Sequence, residues 1–394
     1  MKQWLTKALL VLAGIVIALA LCEAGLRLLG IEYPDFFDYD PLVGSKLRPG
    51  IKGYFLKEGG GYVSINSDGL RDREHSPNPP PNTLRIAVLG DSFAEAMPVN
   101  REEAFWAVME NALQGCGNLR GRQVEVINFG QSGFGTTQEL LALRHRVWKY
   151  SPDVVLLAFF TGNDVTDNSP ALMQWDYNPY FSYQDGKFVL NDKHTQERWE
   201  KEQREKSWGG GFKRWREDNF RVFQVLREAH KLARTWWSQI QKRGQSAAAH
   251  QRPKAGLSNA VFREPTEAVW QEAWEVTEAV LLMMRDEIAQ KGAKFLVVVL
   301  TGGIQVHPDP SARTEIANRL GVKDLFYPDR RLEKFCQREG IPILLLAPAF
   351  QEYATKHQVF LHGFPDNLGG GHWNQNGNRL AGKMIAKWLC RQIN

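Results

Sequence analysis

Four short segments, far apart in the chain, carry the residue types that acyl transfer needs. They are Gly90-Asp91-Ser92, Asn128-Phe129-Gly130-Gln131-Ser132-Gly133, Thr161-Gly162-Asn163-Asp164 and His372-Trp373-Asn374. A serine hydroxyl becomes a nucleophile when a base takes its proton, and a histidine such as His372 can serve as that base. The tetrahedral intermediate of acyl transfer develops an oxyanion, which is stabilised by donors fixed in advance. The candidates are the backbone N–H of Ser92, a backbone N–H of Gly130 or Gly133, and the side-chain amide of Asn163. Glycine in the second segment lets the backbone come close to a substrate.

These residues need elements to bring them together. An apolar run over 84–89 stops at Gly90-Asp91-Ser92 and predicts a buried strand. Further strands are predicted over 124–129, 153–160, 293–300 and 341–346, alternating with helices over 103–113, 136–150, 265–291, 329–339 and 376–393. Alternation of this kind predicts an α/β fold with a five-stranded, doubly wound parallel sheet and right-handed crossovers. The first three segments then lie at the carboxyl edge of that sheet, where open α/β sheets place their chemistry. The fourth precedes the last helix and must return to the same edge.

Two regions depart from this rhythm. Residues 31–82 read as an extended segment with turn signals and a proline-rich linker. Residues 170–264 read as a helical insertion holding Trp175, Trp199, Trp208, Trp215, Trp236 and Trp237. Within it, Val222, Leu226, Ala229, Ala233 and Trp236 have the spacing of one helix face, and residues 244–256 form a polar break. An insertion at this edge can act as a lid or face the substrate; it can equally be a packed surface subdomain.

The N-terminus has Lys2 and Lys7 before an apolar run over 8–22, so residues 1–30 read as a signal or anchor segment. The run is short for a spanning helix, and Ala18-Leu19-Ala20 has a cleavage-site pattern. The positive flank predicts a single-pass anchor with the domain outside the cytoplasm, in the cell envelope; secretion after cleavage is the alternative. The formal charge of +5, with both signs interleaved, gives no nucleic-acid footprint. The four cysteines have no close pairing, which argues against a zinc ribbon or disulfide scaffold. Cys116, Cys336 and Cys390 read as core or surface residues. No metal or cofactor is expected.

The four blocks, in this order and spacing, resemble the SGNH/GDSL hydrolase family. They look especially like exported, anchored members that carry Asn-Ser-Asp-Gly-Leu-Arg-Asp, here residues 66–72, before the core. The resemblance covers roughly residues 83–169 and 292–392 of a domain spanning 83–394. It implies a flavodoxin-like three-layer sandwich that hydrolyses or transfers ester-linked acyl groups. It also implies Ser92 as nucleophile, His372 as base, and Gly130 or Gly133 with Asn163 in the oxyanion hole. One position departs from the pattern. The family commonly has an aspartate three residues before the histidine, where this chain has Gly369. Asp366 is the nearest upstream carboxylate and the candidate third member. A backbone carbonyl or a carboxylate from elsewhere are the alternatives.

Other residues have plainer readings. Asp91 braces the turn after the first strand, and Asp164 caps a turn. His307 is a loop feature and His362 is expected at the surface. Trp373 either walls the substrate pocket or packs on the terminal helix. The functions in view are an ester hydrolase acting on an acylated small molecule, lipid or glycan, an O-acyltransferase on a cell-surface polysaccharide, and a non-catalytic envelope scaffold.

Overall fold

The computed structural model describes residues 2–173, 177–243 and 259–393. Trp175 and the polar break over 244–256 lie outside the described residues. The sheet has five parallel strands: β1 (Thr83–Gly90), β2 (Gln123–Asn128), β3 (Val154–Phe159), β4 (Lys294–Val299) and β5 (Ile343–Leu345). Their order is β5-β4-β3-β1-β2. The chain leaves β1 for β2 on one side and crosses back to β3 on the other. This reversal opens a crevice beyond the carboxyl ends of β1 and β3.

The period of two along each strand divides the core into two layers. Ala87, Leu89, Ile127, Val155, Leu157 and Val297 face the helices Thr136–His145, Ala268–Gln290 and Tyr327–Arg338. Ile86, Val88, Val126, Leu156, Ala158 and Val298 face Phe105–Leu113, Ala347–His357 and Gln375–Gln392. Both faces of β3 are covered, which is why it reads as an unbroken apolar run. This is the doubly wound α/β sheet that the alternation predicts, in the three layers that the resemblance implies. Helices at Pro310–Leu320 and Ala347–His357 escaped the sequence reading.

Residues 31–82 are more ordered than a linker. They build two antiparallel hairpins, Phe37–Asp40 with Gly44–Leu47 and Lys52–Phe55 with Gly61–Ser64. The Asn66–Asp72 stretch fastens them to the sheet. Asn66 Oδ1 accepts from the backbone N–H groups of Asp68 (3.0 Å) and Leu70 (2.8 Å), closing a tight turn. Asp72 Oδ2 accepts from the Asn128 N–H at the end of β2 (3.0 Å). Arg71, 1% exposed, donates to the Val99 carbonyl. Below, the buried Arg85 of β1 donates to the Ser76 (2.9 Å) and Pro77 (2.8 Å) carbonyls and to Glu125 (2.8 Å).

Cys116 and Cys390 form a disulfide, which corrects their reading as separate core or surface residues. The bond pins the terminal helix beside the end of Phe105–Leu113; partners 274 residues apart leave no spacing signature. The N-terminal helix, Lys2–Leu28, has 27 residues, longer than the apolar run alone suggests. At 1.5 Å per residue it spans roughly 40 Å, enough for a hydrocarbon core of about 30 Å. None of its apolar window is buried, and it alone among the described helices has the length and composition to cross a membrane.

Candidate active site

Ser92 opens a one-turn helix, Ser92–Glu95, directly after β1. Asp91 caps it, accepting from the Phe93 N–H (2.8 Å). Two glycines make room for this turn. A Cβ on Gly90 would lie 2.8 Å from Ala94 Cβ, and one on Gly130 would lie 2.3 Å from the same atom. The turn that carries Ser92 is therefore clasped between the ends of β1 and β2.

His372 comes from the loop before the terminal helix. Its Nε2 lies 2.7 Å from Ser92 Oγ, and its Nδ1 lies 2.7 Å from Glu58 Oε2. The carboxylate only accepts, so Nδ1 carries the proton and Nε2 is left to accept from the Ser92 hydroxyl. Glu58 Oε2 also accepts from the His372 backbone N–H (3.4 Å). Asp366 does not take this place. It is exposed, and Glu58 occupies the nitrogen it would have to reach. The third position is filled by the hairpin region, and the glycines at 369–371 serve the loop instead of folding a carboxylate back.

Glu58 sits in the turn between Lys52–Phe55 and Gly61–Ser64, at φ 54°. Its neighbour Gly59 lies against Phe364, where a Cβ would be 2.1 Å from the ring. The turn thus wedges against the loop that carries the histidine. That loop is built on His362, which is 1% exposed rather than at the surface. His362 Nδ1–H donates to the Gly371 carbonyl (2.9 Å), and Nε2 accepts from Thr301 Oγ1 (2.7 Å). Burial pushes this imidazole down to about 4, so it stays neutral and keeps both bonds. Trp373 is also buried, at 1% exposure, and donates from Nε1 to Thr301 Oγ1 (2.8 Å). It packs on Phe93, Phe105 and Phe350 and does not line the cavity. It braces the loop from the core side, which corrects its reading as a pocket wall.

The electrostatics suit a base held ready. Burial opposes protonation of His372, but the Glu58 hydrogen bond and charge outweigh it and raise the imidazole. Burial likewise opposes ionisation of Glu58, and the bond to His372 overrides it and keeps the carboxyl below its usual range. Beneath the serine, burial raises Asp91 to about 6 and Glu95 to about 7. Burial, and then mutual repulsion with neighbouring carboxylates, holds Glu139 and Asp164 well above the usual carboxylate range. Asp164 Oδ2 accepts from the Phe160 N–H (2.7 Å), consistent with a turn-bracing role.

Ser92, Gly133 and Asn163 all line one cavity of about 1110 Å³, together with Glu58 and His372. Asn163 is fixed at the wall by donating from Nδ2 to the Phe134 carbonyl (3.2 Å). Gly130 does not line the cavity, and its N–H already donates to Asn128 Oδ1 (3.0 Å). Of the two glycines, Gly133 is the one that lines the cavity.

The insertion supplies the far wall through Lys206, Arg214, Glu217 and Asp218. Ion pairs tie it to the first hairpin: Lys206 to Asp38 (2.7 Å), Arg214 to Asp38 (3.1 Å) and Arg48 to Asp218 (2.6 Å). Among the described residues no tryptophan lines the cavity; Trp215, Trp236 and Trp237 are exposed elsewhere.

Sequence reasoning missed Glu58. It lies 314 residues from His372 and belongs to none of the four blocks. The available signal was Glu58-Gly59-Gly60-Gly61 between Tyr54-Phe55 and Tyr62-Val63, a glycine-rich hairpin turn with a carboxylate at its tip.

No family model and no curated protein matches this chain. Among solved structures it is similar to the acetyl xylan esterase AlAXEase, with 15% identity over 77% of this chain and 99% of that one, at a TM-score of 0.37. It is also similar to the lipase/acylhydrolase from Enterococcus faecalis, with 14% identity, 79% and 97% coverage and a TM-score of 0.37. A catalytic mutant of Axe2, an acetylxylan esterase from Geobacillus stearothermophilus, matches with 11% identity, 79% and 94% coverage and a TM-score of 0.38.

Proposed function

We propose that this protein is an exported serine hydrolase of ester-linked acyl groups, with Ser92, His372 and Glu58 as its catalytic triad. The observation that carries the reading is the continuous chain from Ser92 Oγ to His372 Nε2 and from Nδ1 to Glu58, each link 2.7 Å. His372 takes the hydroxyl proton as Ser92 Oγ attacks the ester carbonyl, and Glu58 stabilises the imidazolium that forms. The oxyanion is met by the N–H groups of Ser92 and Gly133 and by the Asn163 amide. His372 then returns the proton to the leaving alcohol. Water, activated by the same imidazole, releases the acyl group from Ser92.

Ser92→Ala should abolish cleavage of a short aryl ester and labelling by a fluorophosphonate while leaving thermal unfolding unchanged. Full activity in that variant refutes the proposal.

Transfer to an acceptor hydroxyl is the second reading. The cavity of about 1110 Å³ exceeds the roughly 300–1,000 Å³ of ordinary small-molecule sites, leaving room for an acceptor beside the donor. An acyl donor assayed with and without a polysaccharide acceptor separates the two; hydrolysis alone at every acceptor concentration argues against transfer. The scaffold reading rests on the missing aspartate at Gly369, and Glu58 at His372 Nδ1 argues against it. The N-terminal helix is proposed as a retained anchor. Its C-terminal part is bonded into the folded domain, where Glu23 accepts from the Val222 N–H (3.1 Å).

A further inference from the structure

The insertion helix Arg221–Arg243 is packed with its polar side inward. Gln224, 1% exposed, accepts from the Tyr33 N–H (2.8 Å) and donates to the Glu217 carbonyl (2.9 Å). Arg227 donates to Glu217 Oε2 (3.2 Å) and to the Tyr33 carbonyl. At helical spacing, Val222, Val225, Leu226, Leu232, Trp236 and Trp237 fall on another face. That face is left open: Leu226 is 56% exposed, Leu232 67%, Trp236 62% and Trp237 59%. The preceding helix adds exposed Phe212 and Trp215. A contiguous apolar face of this kind marks an interaction surface.

Its position says what covers it. The helix begins at the end of the N-terminal apolar helix. Besides the Glu23 bond, Arg221 Nη1 donates to the Leu26 carbonyl (3.3 Å) and Arg27 Nη2 to the Asn219 carbonyl (2.6 Å). The open face therefore starts where the proposed anchor leaves the bilayer.

We propose that the helix Arg221–Arg243 lies on the bilayer surface beside the anchor, with its Leu–Trp face sunk into the headgroup–acyl boundary. Tryptophan rings favour that zone, and amphipathic helices dock there with their charged side toward water. The exposed basic side chains of Lys213 and Arg234 match anionic headgroups. Arg227 and Glu217, which hold the helix to the body, also line the catalytic cavity. Docking thus brings the cavity rim to the lipid surface, within reach of esters carried there. The inference rests on the anchor being retained.

The test uses the full chain with Cys22→Ser and one nitroxide-labelled cysteine at a time: L232C, W236C, R234C or L12C. Each is reconstituted in phosphatidylcholine–phosphatidylglycerol bilayers. Collisions with oxygen, which partitions into lipid, are compared with those of a water-soluble nickel chelate. Oxygen should dominate at L232C and W236C, and nickel at R234C. Nickel access at L232C and W236C equal to that at R234C overturns the proposal. So does shielding of both sites from both reagents, which would mean that a second copy or another protein covers the face. L12C reports on the anchor separately. Nickel access there, or loss of the N-terminus by mass spectrometry, refutes the anchor, while the other sites still decide the helix. Retained ester hydrolysis verifies that each labelled variant folds.

Discussion

Replacing Glu58 by glutamine tests the triad at its least expected member. The change removes the charge but keeps the size of the side chain. Glu58 Oε2 now holds His372 at two points, Nδ1 at 2.7 Å and the backbone N–H at 3.4 Å. A neutral amide still accepts one hydrogen bond, but it gives little help to the imidazolium formed as Ser92 attacks. Neutralising a buried triad acid can cost about 10⁴-fold in kcat. Glu58 is less enclosed, with 33% of its side chain exposed, so solvent replaces part of the lost charge stabilisation. We expect a fall of about 100- to 1,000-fold in kcat, about 3–4 kcal/mol on the barrier. The pH profile supplies an independent sign. Glu58 raises His372, and the base works only when neutral. Losing that charge lowers the imidazole pKa, so the acid limb of kcat/KM moves to lower pH in Glu58→Gln. The assay is hydrolysis of an aryl ester across the pH range, with thermal unfolding as the folding control. Unchanged kcat and an unmoved acid limb in Glu58→Gln, with a large loss in Asp366→Asn, would refute the reasoning.

Further outcomes are expected. Asn163→Ala should lower kcat about 100- to 1,000-fold with little change in KM, as loss of one oxyanion donor does; a rise in KM at constant kcat would remove Asn163 from that role. Glu139 is buried, and neither carboxylate oxygen has a hydrogen-bond partner, so its folded pKa is raised. The wild type therefore loses stability as pH climbs above the unfolded carboxyl value of about 4.3. Glu139→Gln escapes that loss, so its Tm advantage over wild type should grow with pH, and a pH-independent difference would contradict the assignment. Removing the Cys116–Cys390 bond with a double serine variant should cost about 2–4 kcal/mol, since it closes a very long loop. Identical urea midpoints with and without the bond would show that the terminal helix holds without it.

The sheet was legible because its strands are apolar on both faces and its helices recur between them. Ser92 and Asn163 were legible because each follows the end of a strand at one edge, and His372 because it lies in a conspicuous block just before the last helix. Glu58 was not, since its position depends on how a hairpin outside the sheet is fastened down. Asp72 and Arg71 do that fastening through bonds to β2 and the Val99 carbonyl, from a turn that Asn66 closes. Nothing in local spacing reveals such bonds. His362 was misplaced, and Trp373 left open between two readings, for a related reason. Both are polar-capable side chains whose burial is made tolerable by one hydroxyl, Thr301, that accepts from one and donates to the other. The insertion's tryptophans had the opposite outcome: among the described residues the insertion faces the cavity with charged side chains, and Trp215, Trp236 and Trp237 lie exposed away from it.

The separation of Glu58 from His372 also has a consequence for biosynthesis. The two residues that bracket the imidazole bond are made 314 residues apart. At about 5–20 residues per second, roughly 15–60 s of translation separate them. For most of that interval the chain holds Glu58 and Ser92 but not His372. On the proposed triad, the nascent polypeptide cannot cleave an ester until His372 has been made.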